Sequence, residues 1–131
     1  KHGSRPWHVG VRHPRAPGAL IELDLNDGEA IGTSGDYQRY FELNGQRYCH
    51  IIDPRTGYPA PGTQSLTVLA APGPQAGVLS DAASKPGFIA DIREWEAAIK
   101  RLGIIAAIRV DESGKIAMSE AMGRRAKRVR D

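Results

Sequence analysis

Cysteine and aromatic residues are scarce in this sequence. Its 131 residues include one cysteine, Cys49, and 6% aromatic residues. A single cysteine excludes an intramolecular disulfide and leaves the redox compartment undecided. Aromatic rings that are few and scattered do not provide the stacking platform of a protein that binds single-stranded nucleic acid.

Targeting and nucleotide-binding signatures are also missing from the sequence. No apolar run reaches the length needed to span a membrane, and no signal peptide is recognisable. There is neither a Gly-x-Gly-x-x-Gly fingerprint nor a P-loop. Residue 1 is Lys rather than an initiator Met, so we expect the chain to be a piece of a longer protein.

The excess of basic residues is concentrated at the C-terminus. The formal net charge is +3 and the pI is near 9.2. The basic residues of the terminus are Arg124, Arg125, Lys127, Arg128 and Arg130. We predict that 123–131 is a solvated, flexible tail. Binding of nucleic acid or of an acidic membrane surface through this tail is a remote alternative.

Residue patterns predict a single α+β domain. Alternating or continuous apolar residues predict strands at 7–11, 19–25, 30–33, 37–43, 47–52, 65–71, 104–110 and 115–118. Helical periodicity predicts helices at 75–90 and 92–102. The turns Asn26-Asp27-Gly28 and Asn44-Gly45 predict two hairpins, the first joining 19–25 to 30–33. We therefore expect a largely antiparallel sheet with two helices packed on it.

Polar residues and backbone-bending residues are densest between Thr33 and Ala60. His50 lies where a strand meets a turn, and an imidazole there can take a proton from an attacking hydroxyl near neutral pH. A histidine bonded to a loop carbonyl is an equally good interpretation. The neighbouring Cys49 points to the opposite face of a strand, so we expect a packed thiol rather than a nucleophile. The other histidines, His2, His8 and His13, are expected to be ordinary surface residues.

Two turns in this region are candidate binding elements. Ser34-Gly35-Asp36-Tyr37 follows a strand and can direct backbone N–H groups at an anion, whereas Thr33 or Ser34 as a nucleophile has no support. The turn Asp53-Pro54-Arg55-Thr56-Gly57 places the donor fork of Arg55 for a phosphate or carboxylate. A purely structural turn would use the same Asp, Pro and Gly.

Asp81 and Lys85 stand four residues apart on the first predicted helix. That spacing is typical of an ordinary surface ion pair. The functional alternative is that Asp81 supplies a hard oxygen ligand to Mg²⁺ bound to a phosphate.

Together these segments resemble the ApbE family, the FAD:protein FMN transferases. The matching stretches are TSGDYQRYF at 33–41, HIIDPRTGYP at 50–59, SLTVLA at 65–70 and DAASKPGFIA at 81–90. The resemblance runs from about Trp7 to Met118 and covers the C-terminal part of the family domain. It implies an ApbE-like, T-fold-like half domain over residues 1–131.

The resemblance implies a reaction and a set of site residues. Family members transfer the FMN portion of FAD, with Mg²⁺, to a Thr or Ser hydroxyl of an acceptor flavoprotein subunit and release AMP; some relatives hydrolyse FAD. Asp81 would be a Mg²⁺ ligand and His50 the base for the acceptor hydroxyl. The flavin nucleotide would be bound by Ser34, Gly35, Tyr37, His50, Asp53, Arg55, Thr56, Gly57 and Lys85. Bacterial members are commonly exported and lipid-anchored at the periplasmic face, and we expect the same of the parent protein.

This chain departs from the family pattern in two ways. The family domain is about twice as long, so the chain is either a fragment or assembles with another chain. The family usually has Thr four residues after the metal-binding Asp, where this sequence has Lys85 followed by Pro86. We expect the ammonium of Lys85 to replace Mg²⁺ partly or wholly, and Pro86 to kink the helix. A flavin- or nucleotide-binding module that has lost catalysis is the main alternative.

Overall fold

The computed structural model describes residues 5–127, which contain ten strands and three helices. The strands are β1 (Trp7–Arg12), β2 (Ala19–Leu25), β3 (Ala30–Gly35), β4 (Tyr40–Leu43), β5 (Gln46–Cys49), β6 (Ile52–Asp53), β7 (Tyr58–Pro59), β8 (Thr63–Ala70), β9 (Ile104–Asp111) and β10 (Ile116–Met118). The helices are α1 (Ala76–Ile89), α2 (Trp95–Arg101) and α3 (Glu120–Arg125). The predicted α+β class and antiparallel pairing are confirmed.

A four-stranded antiparallel sheet with the order β10-β9-β8-β3 forms the centre of the fold. Every residue of β8 is buried, because the sheet is covered on both faces at this strand. Leu66 and Val68 pack towards the helices, whereas Leu69 packs into a second cluster on the opposite face. The β-branched and apolar residues of β8 suit a strand in that position.

Each face of the sheet has its own hydrophobic core. The core under α1 and α2 includes Leu66, Val68, Ala83, Phe88, Trp95, Ile99 and Ala107. The core on the other face lies between the sheet, the β1–β2 hairpin and α3, and it includes Val11, Ile21, Leu23, Leu69, Ile108 and Met122. These two cores hold α1 and the end of β3 in fixed positions relative to each other.

Helix α1 lies unusually close to β3. A Cβ atom added to Gly32 would lie 2.5 Å from the carbonyl oxygen of Ser80, so only glycine permits this approach. Pro86 lies inside α1, and the helix continues beyond it to Ile89. Gly87 allows a second close contact, because an added Cβ would lie 2.4 Å from Cγ2 of Ile99 on α2.

One predicted hairpin is correct and the other is wrong. Asn44 and Gly45 have φ angles of 53° and 77° and close the β4–β5 hairpin, as the Asn-Gly signal predicts. The turn at Asn26-Asp27-Gly28 forms, but it does not join paired strands. β2 pairs with β1, and β3 pairs with β8. The apolar residues of β2 pack in the second core, and the local turn signal carries no information about that long-range choice.

The C-terminal basic segment differs from the predicted tail. Residues 120–125 form α3, whose N-cap Ser119 accepts a hydrogen bond from the backbone N–H of Met122. Arg125 donates to both carboxylate oxygens of Glu29, at 2.6 and 2.8 Å, and Lys127 donates to Asp24 at 2.6 Å. Part of the predicted tail thus has helical structure and specific ion pairs, while its flexibility stays a prediction. The rest of the predicted tail, 128–131, lies outside the described residues.

None of the helices within residues 5–127 combines the length and the apolar composition needed to cross a lipid bilayer.

Candidate functional site

The end of β3, the start of the β4–β5 hairpin and one face of α1 meet around a cleft of about 250 Å³. Its lining consists of Thr33, Ser34, Gly35, Tyr37, Gln38, Arg39, His50, Asp81 and Lys85. The structure thus brings Ser34, Gly35, Tyr37, His50, Asp81 and Lys85, all predicted as site residues, to one place. We call this space the β3–α1 cleft.

Ser34 connects β3 to α1 at the floor of the β3–α1 cleft. Its hydroxyl lies 2.7 Å from the hydroxyl of Ser84, which in turn donates to the carbonyl oxygen of Asp81 at 2.8 Å. Because Ser84 uses its only proton on that carbonyl, Ser34 must be the donor in the Ser34–Ser84 hydrogen bond. Ser34 is buried. Its side chain therefore fixes the helix against the strand, and its hydroxyl proton is not available to a ligand.

Tyr37 packs directly over Gly35. A Cβ atom on Gly35 would lie 2.3 Å from Cε1 of the tyrosine ring, so a side chain at position 35 would require the ring to move. Burial raises the pKa of the Tyr37 phenol above its ordinary value. The phenol remains neutral at physiological pH and keeps its proton for donation. The guanidinium of Arg12 lies 5.7 Å from the ring centroid.

Asp36, between these two residues, does not contribute a free carboxylate. Arg15 donates to its two carboxylate oxygens at 2.7 and 2.5 Å. The Ser-Gly-Asp-Tyr turn is therefore held by an ion pair on one side and by the Gly35–Tyr37 contact on the other.

His50 makes the predicted contact with a loop carbonyl, and its role as a base stays a prediction. Its Nδ1 lies 3.1 Å from the carbonyl oxygen of Arg39, and the backbone N–H of His50 donates to the same oxygen. A carbonyl oxygen only accepts hydrogen bonds, so in the neutral ring Nδ1 carries the proton and Nε2 has the free lone pair. His50 is exposed at the cleft. The loop-carbonyl bond thus orients a nitrogen that is able to accept a proton.

Lys85 occupies the space next to Asp81. Its ammonium lies 2.7 Å from Oδ1 of Asp81 and 2.8 Å from the carbonyl oxygen of the same residue. The predicted ion pair is present, and both side chains are exposed, Asp81 by 82%. Among residues 5–127, Asp81 is the only carboxylate that lines the β3–α1 cleft.

The donor set in the cleft does not fit a Mg²⁺ ion as it stands. Mg²⁺ requires several oxygen ligands in octahedral geometry, and an ammonium beside the single carboxylate repels a second cation. Within residues 5–127 no three His, Cys, Asp or Glu side chains are grouped so that they could hold a metal ion. The assignment of Asp81 as a metal ligand stays a prediction.

The turn at 53–57 lies outside the β3–α1 cleft. The buried carboxylate of Asp53 accepts from Nη2 and Nε of Arg55 at 2.7 and 3.0 Å, and the guanidinium lowers the pKa of that carboxyl. The carbonyl oxygen of Asp53 accepts from the backbone N–H groups of Thr56 and Gly57. Within this chain the donor fork of Arg55 is thus engaged by its own turn.

A second cleft connects this turn to the first site. It has a volume of about 450 Å³, and its lining is Ile52, Asp53, Pro54, Arg55, Lys85, Pro86, Ile89, Ala90 and Glu94. Lys85 lines both clefts. A polar space beside His50 and a more apolar space beside Pro54 and Pro86 are therefore adjacent, and Lys85 is common to both linings. We call the second space the Pro86 cleft.

Two cleft residues and one buried cation had no signal in the sequence pattern. Gln38 and Arg39 line the β3–α1 cleft, although they lie in a stretch predicted as strand. Arg109 is only 3% exposed; its Nη2 donates to the Thr63 hydroxyl at 2.6 Å, while its Nε and Nη1 have no partner among the described residues. An alternating strand gives no indication that one of its inward positions holds a cation.

Two solved structures establish the fold to which this chain belongs. The chain superposes on the crystal structure of the ApbE protein of Thermotoga maritima with a TM-score of 0.84 and 38% sequence identity, over 98% of this chain and 40% of that one. It also matches the apo form of the flavinyl transferase ApbE of Pseudomonas stutzeri, with a TM-score of 0.68 and 30% identity, over 91% of this chain and 36% of that one. The fold is that of the ApbE proteins.

The sequence comparisons give the family. The sequence model of the ApbE family matches residues 1–108, and the chain belongs to this family. It is 40% identical over 128 residues to the FAD:protein FMN transferase of Rhodobacter capsulatus, covering 98% of this chain and 24% of that protein. It is 41% identical over 68 residues to the enzyme of the same name from Escherichia coli, covering 50% of this chain and 19% of that protein. The chain thus spans well under half the length of these relatives.

Proposed function

We propose that the parent protein of this chain transfers FMN from FAD to a Thr or Ser hydroxyl of an acceptor flavoprotein and releases AMP. The names of the relatives, FAD:protein FMN transferase and flavinyl transferase, support the reaction class. The proposal rests on one observation: His50, Lys85 and Asp81 line the same cleft. That cleft offers a base beside a fixed cation, which a transfer from pyrophosphate to a hydroxyl requires.

The proposed step balances with His50 as the base. The acceptor oxygen forms a bond to the phosphorus of the FMN half, and the pyrophosphate bond between that phosphorus and the bridging oxygen breaks. The bridging oxygen leaves as part of AMP. Nε2 of His50 takes the proton of the attacking hydroxyl, because Nδ1 is already protonated and bonded to the carbonyl of Arg39.

Lys85 is proposed to stabilise the leaving phosphate. Its ammonium would contact the pyrophosphate from its place beside Asp81 and so replace Mg²⁺ partly or wholly. Because Lys85 also lines the Pro86 cleft, the pyrophosphate would lie at the junction of the two clefts. The flavin nucleotide would then extend from Tyr37 towards the turn at 53–57, where apolar side chains such as Ile52, Pro54 and Pro86 line the Pro86 cleft.

A binding module without transferase activity is the second candidate. The contact that favours it is the Lys85–Asp81 ion pair, which already satisfies one carboxylate oxygen at the site. Such a module would bind a flavin nucleotide and leave its pyrophosphate intact. Release of AMP from FAD by the full-length parent protein distinguishes the two candidates.

The test is calorimetric titration of the full-length parent protein with FAD, with and without Mg²⁺, combined with an AMP assay in the presence of acceptor. We expect binding that depends weakly on Mg²⁺ and AMP release that is lost in His50→Gln. His8→Gln is the matched control, because His8 is also exposed but lies on β1, outside both clefts. A strict Mg²⁺ requirement contradicts the role of Lys85. Unchanged AMP release in His50→Gln contradicts the role of His50.

A further inference from the structure

The β4–β5 hairpin carries an apolar face with no partner in the described part of the chain. Phe41 and Leu43 are 59% and 56% exposed. The ring of Phe41 stacks on that of Tyr48, with centroids 5.0 Å apart and an interplanar angle of 12°. The opposite face is attached to the protein, since Cys49 on that side is buried in the first core. One face of the hairpin is thus anchored and the other is open.

The outer edge of β4 is open as well. Among the described residues β4 pairs only with β5, and all four of its residues are exposed. Because Asn44-Gly45 forms a two-residue turn, Leu43 and Gln46 are a hydrogen-bonded pair, so the backbone groups of Phe41 and Leu43 face β5. Those of Tyr40 and Glu42 consequently point outward. A two-stranded ribbon is marginally stable in water, and a third strand would complete it.

The hairpin leads directly into the β3–α1 cleft. Arg39, the residue before β4, lines that cleft, and its carbonyl oxygen holds the imidazole of His50. A strand laid along β4 from Leu43 to Arg39 covers roughly 14 Å at about 3.4 Å per residue. A segment of about five residues therefore reaches from the hairpin tip to the candidate base.

The positive charge at the end of the hairpin nearest the cleft favours an acidic segment. Arg39 is exposed and forms no ion pair with any residue between 5 and 127. Arg47 on β5, in contrast, is engaged with Glu42 at 3.2 Å and lies over the ring of Tyr40. The free cation at the mouth of the cleft thus complements a carboxylate on an incoming segment.

We propose that the β4–β5 hairpin is the docking surface for the acceptor protein, a role that rests on the proposed function. An extended segment of the acceptor adds to the outer edge of β4 through the backbone of Tyr40 and Glu42. Its alternate apolar side chains lie beside Phe41 and Leu43, and an acidic residue meets Arg39. This register delivers the acceptor hydroxyl to Nε2 of His50.

The test uses the full-length parent protein and a 15-residue synthetic peptide with a central Thr, Val at alternate positions on one side and an Asp next to the Thr. Glu42→Pro removes the outward N–H, and Glu42→Ala is the matched control, since both lose the Arg47 contact but only Pro loses the donor. We expect Glu42→Pro to weaken peptide binding about tenfold, with Glu42→Ala close to wild type. Phe41→Ser should have a similar effect, while Val78→Ser, an exposed apolar position on α1, should have none.

The controls separate this proposal from the proposed function. FAD binding of every variant should equal that of wild type, because none of these residues lines either cleft. Absence of AMP release from FAD by wild type contradicts the proposed function. Equal peptide binding by Glu42→Pro and Glu42→Ala, or no binding by wild type, overturns the docking surface. So does slow amide exchange at Glu42 in the peptide-free protein, which would show that another part of the parent or a second copy already covers the edge.

Discussion

The ammonium of Lys85 lies 2.7 Å from Oδ1 of Asp81 and 2.8 Å from the carbonyl oxygen of the same residue. These two hydrogen bonds hold the ammonium beside Asp81, and Lys85 lines both the β3–α1 cleft and the Pro86 cleft. The position is one helical turn from Asp81, so the backbone of α1 fixes it. A positive charge is thus present at the candidate site without any bound metal.

Replacement of Lys85 should change how the parent protein binds FAD. Lys85→Met removes the cation, and we expect FAD affinity to fall about tenfold or more, since hydrogen bonds to charged groups contribute about 1.5–3 kcal/mol. Lys85→Thr frees the Asp81 carboxylate and adds a hydroxyl oxygen, so FAD affinity should become dependent on Mg²⁺. Isothermal titration calorimetry with and without Mg²⁺ measures both effects. Lys115→Met, at an exposed turn, is the control, and equal affinity of Lys85→Met and wild type would contradict the assignment.

The buried contact between Arg109 and Thr63 predicts a strongly non-additive double mutant. Thr63→Val removes the only hydrogen-bond partner that the Arg109 guanidinium has within residues 5–127, so the free energy of unfolding should fall by about 2–4 kcal/mol. Arg109→Met removes the buried charge together with its unpaired donors and should change stability by less than about 1 kcal/mol.

A double-mutant cycle in urea checks this prediction. Thr63→Val combined with Arg109→Met should recover most of the stability lost in Thr63→Val alone, although the hydrogen bond from Thr63 to the carbonyl of Phe88 is still missing. Additive effects of the two substitutions would show that the buried guanidinium is not the source of the loss.

The sequence predicts the elements of this fold better than their partners. The Asn44-Gly45 turn is correct because both residues take the positive φ angles that those two types tolerate. The strand at Ala19–Leu25 has the predicted bounds, yet its partner is β1 rather than β3. Strand pairing depends on which apolar face the rest of the fold covers, and a local turn signal does not contain that information.

The same distinction holds at the candidate site. His50 and Asp81 could be predicted as candidates because their residue types carry chemistry, and the structure places both at one cleft; their roles stay predictions. That Ser34 would bond inward to Ser84, and that Arg55 would be satisfied by Asp53, depends on side-chain directions fixed by packing. The helix after Ser119 was missed because its six residues are too short for a clear period, although a serine N-cap begins it.

His8 should make the stability of this chain depend on pH. Its ring nitrogens bond to Asp24 at 2.7 Å and Glu22 at 3.1 Å, and these carboxylates raise its pKa above the ordinary 6.5. A raised pKa in the folded state means that the stabilisation is complete below the unfolded pKa and disappears as pH rises through the folded pKa. Lys127 also donates to Asp24 and faces the same cluster.

Thermal unfolding of wild type and His8→Asn between pH 5 and pH 9 measures this dependence. Wild type should unfold at a higher temperature than the variant at the acidic end, and the difference should shrink towards the alkaline end. A difference that grows with pH would mean that the His8 pKa is not raised by its carboxylates.

Gly32 should be intolerant of any side chain. A methyl group there would lie 2.5 Å from the carbonyl oxygen of Ser80 and 3.1 Å from the backbone N of Asp81, and neither atom is able to move without shifting α1. Because α1 also carries Lys85, Gly32→Ala should displace the cation from the cleft as well as lower the free energy of unfolding by about 1–3 kcal/mol.

The matched control is Gly77→Ala on α1, where an added Cβ meets nothing within 4 Å. That substitution should raise stability by about 0.5–1 kcal/mol, since alanine favours the helix. Urea unfolding of both variants gives the comparison, and equal stability of the two would contradict the close approach of β3 to α1 on which the geometry of the cleft depends.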